Sequence, residues 1–128
     1  MARVLALVPD LLFGSRVQAA LENAGHIVEL VAEPGHVADR LRDQPHVAVL
    51  VVDLTSDELD GAALVRSLSG SGALGGIRTL GFFSHVDTAT RERAEHAGFD
   101  MVVPRSRMAR EGADLLARLV GQAPPAVR

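Results

Sequence analysis

Five short apolar runs, each separated from the next by a stretch with helical spacing, constrain the fold of this chain more than any other feature. The runs "RVLALV" (3–8), "VAVLVV" (47–52) and "DMVV" (100–103) are continuous rather than alternating. That is the pattern of strands covered on both faces. "HIVELVA" (26–32) and "IRTLGFF" (77–83) add two β-branched or aromatic runs of strand length. Between the first two runs, residues 12–24 repeat apolar positions at Val17, Ala20, Leu21 and Ala24, and Gly25 follows as a stop signal. Residues 35–44 place Val37, Ala38 and Leu41 on one side before Pro45 closes the segment. Segments 61–68, 87–98 and 106–120 complete the helical set, with Asp87 as a cap and Gly98 as a stop for the fourth. "SGSGALGG" (69–76) reads as a flexible connector, and residues 122–128 as a flexible tail beyond one domain at 1–121.

Strands alternating with helices imply a parallel sheet with helices on both faces. Right-handed crossovers leave few topologies. The expected one is a flavodoxin-like (βα)5 fold: α/β, doubly wound, with a five-stranded parallel sheet in the order 2-1-3-4-5. In such a sheet ligands bind outside the carboxyl ends of the strands where the order reverses, here between the first and third strands.

Composition narrows the function classes. A chain of 128 residues suits one domain, and the lack of cysteine excludes disulfides and thiolate zinc sites. It also fits a reducing compartment, so a cytoplasmic location is expected. A formal net charge of −3, with neither Trp nor Tyr, offers no footing for nucleic acid. No apolar stretch approaches the roughly 18 residues of a membrane span, and "MARVLALV" is too short a run for a signal peptide.

At the carboxyl ends of the strands the candidates converge. Asp10 follows the first strand, Asp53 the third, Ser84 the fourth and Arg105 the fifth. Two carboxylates, a hydroxyl and a guanidinium at one edge suit Mg²⁺ and a phosphoryl group, since hard oxygen ligands bind Mg²⁺ and a cation holds phosphoryl oxygens. Each residue also has a plainer role. Asp10 is well placed to cap the first helix, and Asp53 can be a loop acid. Ser84, His85 and Asp87 do not make a nucleophilic triad, because neighbouring strand residues point to opposite faces. His26, His36, His46 and His96 are scattered without metal-ligand spacing. Gly14 alone does not make a glycine-rich phosphate turn after the first strand, and "SGSGALGG" lacks the Lys-Ser/Thr of a phosphate loop.

"VVDLTSDELDG" (51–61), "LGFFS" (80–84), "GFDMVVPRS" (98–106) and "LVPD" (7–10) together resemble the receiver domains of bacterial response regulators, over residues 3–120. The resemblance implies a phosphoacceptor at Asp53, a phosphoryl contact at Ser84 and a cation at Arg105 where the family carries lysine. It also implies a Mg²⁺ site at Asp10, Asp53 and Thr55. The chain departs from the family at several points. Pro9 replaces the first of two adjacent acids, Arg105 replaces lysine, Ser56-Asp57 stands where Met-Pro is common, and His85 follows Ser84 in place of a small residue. Weak Mg²⁺ binding is therefore expected.

The expected function is that of a stand-alone atypical receiver in two-component phosphorelay signalling, not an enzyme, acting through protein contacts. The resemblance places the partner face, for a histidine kinase, a downstream signalling protein or a second copy, at 87–118. Arg91, Arg93, Arg107 and Arg110 are mixed there with Glu92, Glu95 and Glu111. The alternative expectation is a flavodoxin-like domain binding a nucleotide or other small molecule at the same edge.

Overall fold

Alternate residues of the longest strand divide the core in two. A computed structural model describes residues 2–56, 58–84 and 87–121. The expected tail at 122–128, and the departures at Asp57 and His85, lie outside the described residues. The strands are β1 (Arg3–Leu7), β2 (Ile27–Val31), β3 (Val47–Asp53), β4 (Arg78–Phe83) and β5 (Met101–Pro104). The helices are α1 (Leu11–Asn23), α2 (Val37–Asp43), α3 (Gly61–Gly70), α4 (Thr88–Ala97) and α5 (Arg105–Gly121).

On one face of the sheet Leu5 and Leu7 of β1 join Leu50 and Val52 of β3, packed against α2, α3 and α4 through Val37, Val65, Leu68 and Ala94. On the other face Val4, Ala6, Val49 and Val51 meet α1 and α5 through Phe13, Val17, Leu21, Leu115, Leu116 and Leu119. Most of these side chains are fully buried. Each contributes about 1.5–3 kcal/mol by leaving water, so this two-sided burial decides which strands sit in the middle. All strand pairs are parallel, in the order β2-β1-β3-β4-β5. The expected flavodoxin-like (βα)5 fold is the observed one.

Three local differences from expectation have clear causes. First, α5 begins at Arg105, directly after Pro104, with no intervening loop. Arg105 is therefore a first-turn helical residue rather than a loop residue. Second, "SGSGALGG" is not a free connector. Residues 69 and 70 finish α3, Leu74 packs against the core, and Ile77 N–H donates to Leu74 O at 2.8 Å. Third, α2 is short because Pro34–His36 forms a separate 3₁₀ turn before it.

Aspartates cap the three helices α1, α3 and α4. Asp10 accepts from Phe13 N–H at 3.1 Å, Asp60 from Ala63 N–H at 3.0 Å and Asp87 from Thr90 N–H at 3.1 Å. Asp60 also receives Arg93 of α4, whose Nη2 lies 3.0 Å from both carboxylate oxygens. This pair ties the start of α3 to α4.

Gly61, the residue after the Asp60 cap, is required by close approach. A Cβ there would lie 2.6 Å from Leu54 Cδ2 and 2.7 Å from Val52 Cγ1. Val52 is fully buried and stiff at χ1, so it cannot swing away. Gly61→Ala should lower stability by about 1–3 kcal/mol in urea denaturation. A loss within a few tenths of a kcal/mol would show that α3 can lift off the strand freely.

The caps also set a pH dependence. The hydroxyl and N–H of Thr90 hold Asp87 below the usual carboxylate range, and the Ala63 N–H does the same for Asp60. A depressed folded pKa gives stability that is present above about pH 4 and is lost as pH falls through the folded value. The denaturation midpoint should therefore fall on acidification below about pH 4, and less steeply for Asp87→Asn. An equal slope in that variant would contradict the role given to this cap.

Candidate functional site

The carboxyl edge of the sheet brings the four expected residues close in the fold, with Arg105 paired to Asp10 and Asp53 held by Thr55. Asp53 ends β3, opposite Phe82 of β4, and is only 2% exposed. Pairing runs one residue further, with Leu54 N–H donating to Phe82 O at 2.8 Å. The chain then turns, and Asp53 Oδ1 accepts from both Thr55 N–H at 2.7 Å and the Thr55 hydroxyl at 2.6 Å. A short polar side chain gripping the backbone two residues on is an Asx turn. Asp53 is thus a buried strand-end acid held by its own loop. It is not the cap of α3, which is Asp60.

Asp10 combines two roles. One oxygen caps α1 through Phe13 N–H, and the other lies 3.1 Å from Arg105 Nη2. The Phe13 N–H is the main cause holding the Asp10 pKa below its ordinary range; burial opposes it, and the hydrogen bond and charge of Arg105 add to it. The Arg105 guanidinium also sits 4.1 Å from the centre of the Phe13 ring. Phe13 is buried and packs on Phe82 with ring centres 5.0 Å apart. The cation therefore lies on an aromatic floor fixed to the core.

Ser84, just past β4, is exposed and borders two clefts. One, of about 190 Å³, runs between the β3–α3 loop and α4 and is bordered by Thr55, Asp60, Asp87 and Arg93. The other, of about 380 Å³, lies between α1 and α5 and is bordered by Phe13, Arg16, Thr55, Arg105 and Ser106. Asp53 borders neither cleft. The contacts that sequence reasoning missed are the Phe13 stack, the Thr55 turn and the Asp60–Arg93 pair. An Asp-x-Thr spacing after a strand was a readable sign of the turn. Gly14 lies inside α1, where a Cβ would meet Val8 and Leu30 at ordinary contact distance. It is a packing residue and not part of a phosphate-cradling turn.

Asp10 and Asp53 could supply the one or two carboxylates that a hydrated Mg²⁺ ion takes, but neither stands unengaged. No group of three or more His, Cys, Asp or Glu residues suited to a metal occurs among the described residues. Thr55, expected as a third ligand, directs its N–H and hydroxyl proton at Asp53. Asp10 already faces a guanidinium and a backbone donor. Pro9 adds no carboxylate.

No family model matches the chain, and no curated protein matches it. Solved structures do. The receiver domain of the sensor histidine kinase PA1611 from Pseudomonas aeruginosa, which holds a magnesium ion in its active-site cleft, is 19% identical, with a TM-score of 0.81 over 94% of this chain and 98% of that one. The chemotaxis protein CheY4 of Vibrio cholerae is 17% identical, with a TM-score of 0.80 over 93% of this chain and 98% of that one. The receiver domain of the Francisella response regulator 1452 is 16% identical, with a TM-score of 0.79 over 94% and 97%. With a five-stranded 2-1-3-4-5 sheet and these likenesses over nearly its whole length, the chain has the receiver fold of two-component response regulators.

Proposed function

We propose that this chain works as an atypical receiver module in two-component signalling, acting through protein contacts, with Asp53 as the candidate phosphoacceptor of a partly degenerate site. One observation carries this reading. On a receiver frame, the single cation at the end of the fifth strand pairs with Asp10, while Asp53 stays buried in its own turn. Transfer of a phosphoryl group needs the acceptor oxygen exposed in line, with cations neutralising three equatorial oxygens. Here one Asp53 oxygen, Oδ1, already accepts two donors from Thr55, and Arg105 is engaged with Asp10. Arg105 would have to leave Asp10 before it could neutralise phosphoryl oxygens beside Asp53.

Small phosphodonors should therefore modify the protein slowly or only in a minor fraction, and only at Asp53. Intact mass after acetyl phosphate and Mg²⁺ treatment, for wild type and Asp53→Asn, decides the matter. Rapid stoichiometric modification would show the site to be competent. Modification that survives in Asp53→Asn would place the acceptor elsewhere.

The proposed partner face is α4, β5 and α5, within 87–118, for a histidine kinase, a downstream signalling protein or a second copy. β5 is an edge strand of four residues, with Met101 and Val102 half-buried between the flanking helices. Edge strands expose unpaired backbone groups, and mixed charge around them favours specific, salt-sensitive association. The arginines here have intramolecular partners: Arg91 with Glu95 at 3.5 Å, Arg107 with Glu111 at 3.6 Å and Arg110 with Glu111 at 3.9 Å. The opposition of Arg107 and Arg110 to the dipole of α5 is thus partly relieved within the chain, and support for the face rests on the edge position of β5. Double charge reversal, Arg107→Glu with Arg110→Glu, should weaken self-association in sedimentation velocity at low salt and capture of a purified cognate kinase. If both survive unchanged, the surface assignment fails.

A further inference from the structure

We infer that Arg105 is a built-in cation that holds Asp10 in place of a divalent metal and keeps such an ion out of this edge. The pair is placed by more than one contact. Arg105 Nη2 lies 3.1 Å from Asp10 Oδ2, and its guanidinium carbon lies 4.1 Å from the centre of the Phe13 ring. Phe13 is anchored from below by Phe82 and is only 6% exposed. Arg105 opens α5 immediately after β5, so its backbone is fixed as well. Stacking and ion pairing thus act on one planar group, for which arginine is better shaped than lysine.

A divalent ion arriving at this edge would meet two carboxylates that are already engaged. It would have to take Asp10 from the guanidinium, and it would meet a like charge while doing so. Pro9 supplies no second acid to outweigh that repulsion, and the described residues offer no three-ligand group nearby. The pair is about 40% exposed on each side, at 41% and 45%. It is therefore a modest lock rather than a buried one, and its removal should reveal metal binding rather than unfold the domain.

The same cleft provides an internal control. Arg16 borders it with Arg105 but forms no ion pair among the described residues. If the lock were only the summed positive field of the cleft, removing Arg16 would relieve it as well. If the lock is the Asp10–Arg105 contact, only Arg105 matters. The inference rests on the receiver reading for the place of the metal. It can fail separately, because the sedimentation and kinase-capture experiment above does not depend on metal affinity at Asp10.

The test is a Mg²⁺ titration of the full chain followed by amide shifts around residues 10 and 53, for wild type, Arg105→Gln, Arg105→Lys and Arg16→Gln, with circular dichroism confirming the fold. Wild type should bind weakly, far from saturation at micromolar metal, because its two carboxylates face a cation. Arg105→Gln should bind at least about tenfold more tightly. Arg105→Lys should gain by a smaller factor, because an ammonium lacks the planar fork and stacks less well. Arg16→Gln should stay within about threefold of wild type. Unchanged affinity in Arg105→Gln would overturn the inference, as would an equal gain in Arg16→Gln or micromolar saturation of wild type. If Arg105→Gln fails to fold, an affinity for Arg105→Lys equal to that of wild type overturns it just as well.

Discussion

The burial of β1 and β3 on both faces is the constraint on which the rest of the molecule depends. A strand with Leu50 and Val52 on one side and Val49 and Val51 on the other must be covered twice, so helices are needed on both faces of the sheet. With right-handed crossovers, every strand then runs the same way and every following helix starts at the same edge. Helix amino termini carry unsatisfied N–H groups and partial positive charge, so that edge collects acceptors. Asp10, Asp60 and Asp87 answer this need before any question of signalling arises.

That shared origin explains why a functional edge and a merely well-capped edge look alike in sequence. An aspartate after a strand serves both. What separates them is whether a carboxylate is left open to a ligand. Asp10 caps α1 and is ion-paired, Asp60 caps α3 and is ion-paired, and Asp53 bonds to Thr55 through Oδ1. Much of the hydrogen-bonding capacity at this edge is therefore met within the chain.

The fold was legible in the sequence because its signals are local and repeated. Continuous apolar runs marked β1, β3 and β5, and Gly98, at φ 101°, ends α4 as its position suggested. The Asp87 cap was also readable from residue type and place. The site was legible only as a set of positions. Asp10, Asp53, Ser84 and Arg105 do fall at one edge, but the pairing of Arg105 with Asp10 depends on a side chain 95 residues away and on the Phe13 ring. No pattern in the sequence carries such contacts. The connector at 69–76 was misread because glycine and serine content outweighed one apolar residue, Leu74, that anchors it.

Magnitudes decide what kind of element the edge is. An ion pair as exposed as Asp10–Arg105 is screened by water and contributes little to stability, and the stack of Arg105 on Phe13 is likewise a modest contact. Together they are small beside a core in which each buried leucine contributes about 1.5–3 kcal/mol. The contact can therefore be broken and remade without cost to the fold. It ties α1 to α5, so a change of its state alters how the first and last helices meet at this edge, while the two-sided core beneath stays fixed. A tie this weak opens and re-forms through the protein's own thermal motion, so a ligand or partner with a modest preference for one state is enough to shift its population.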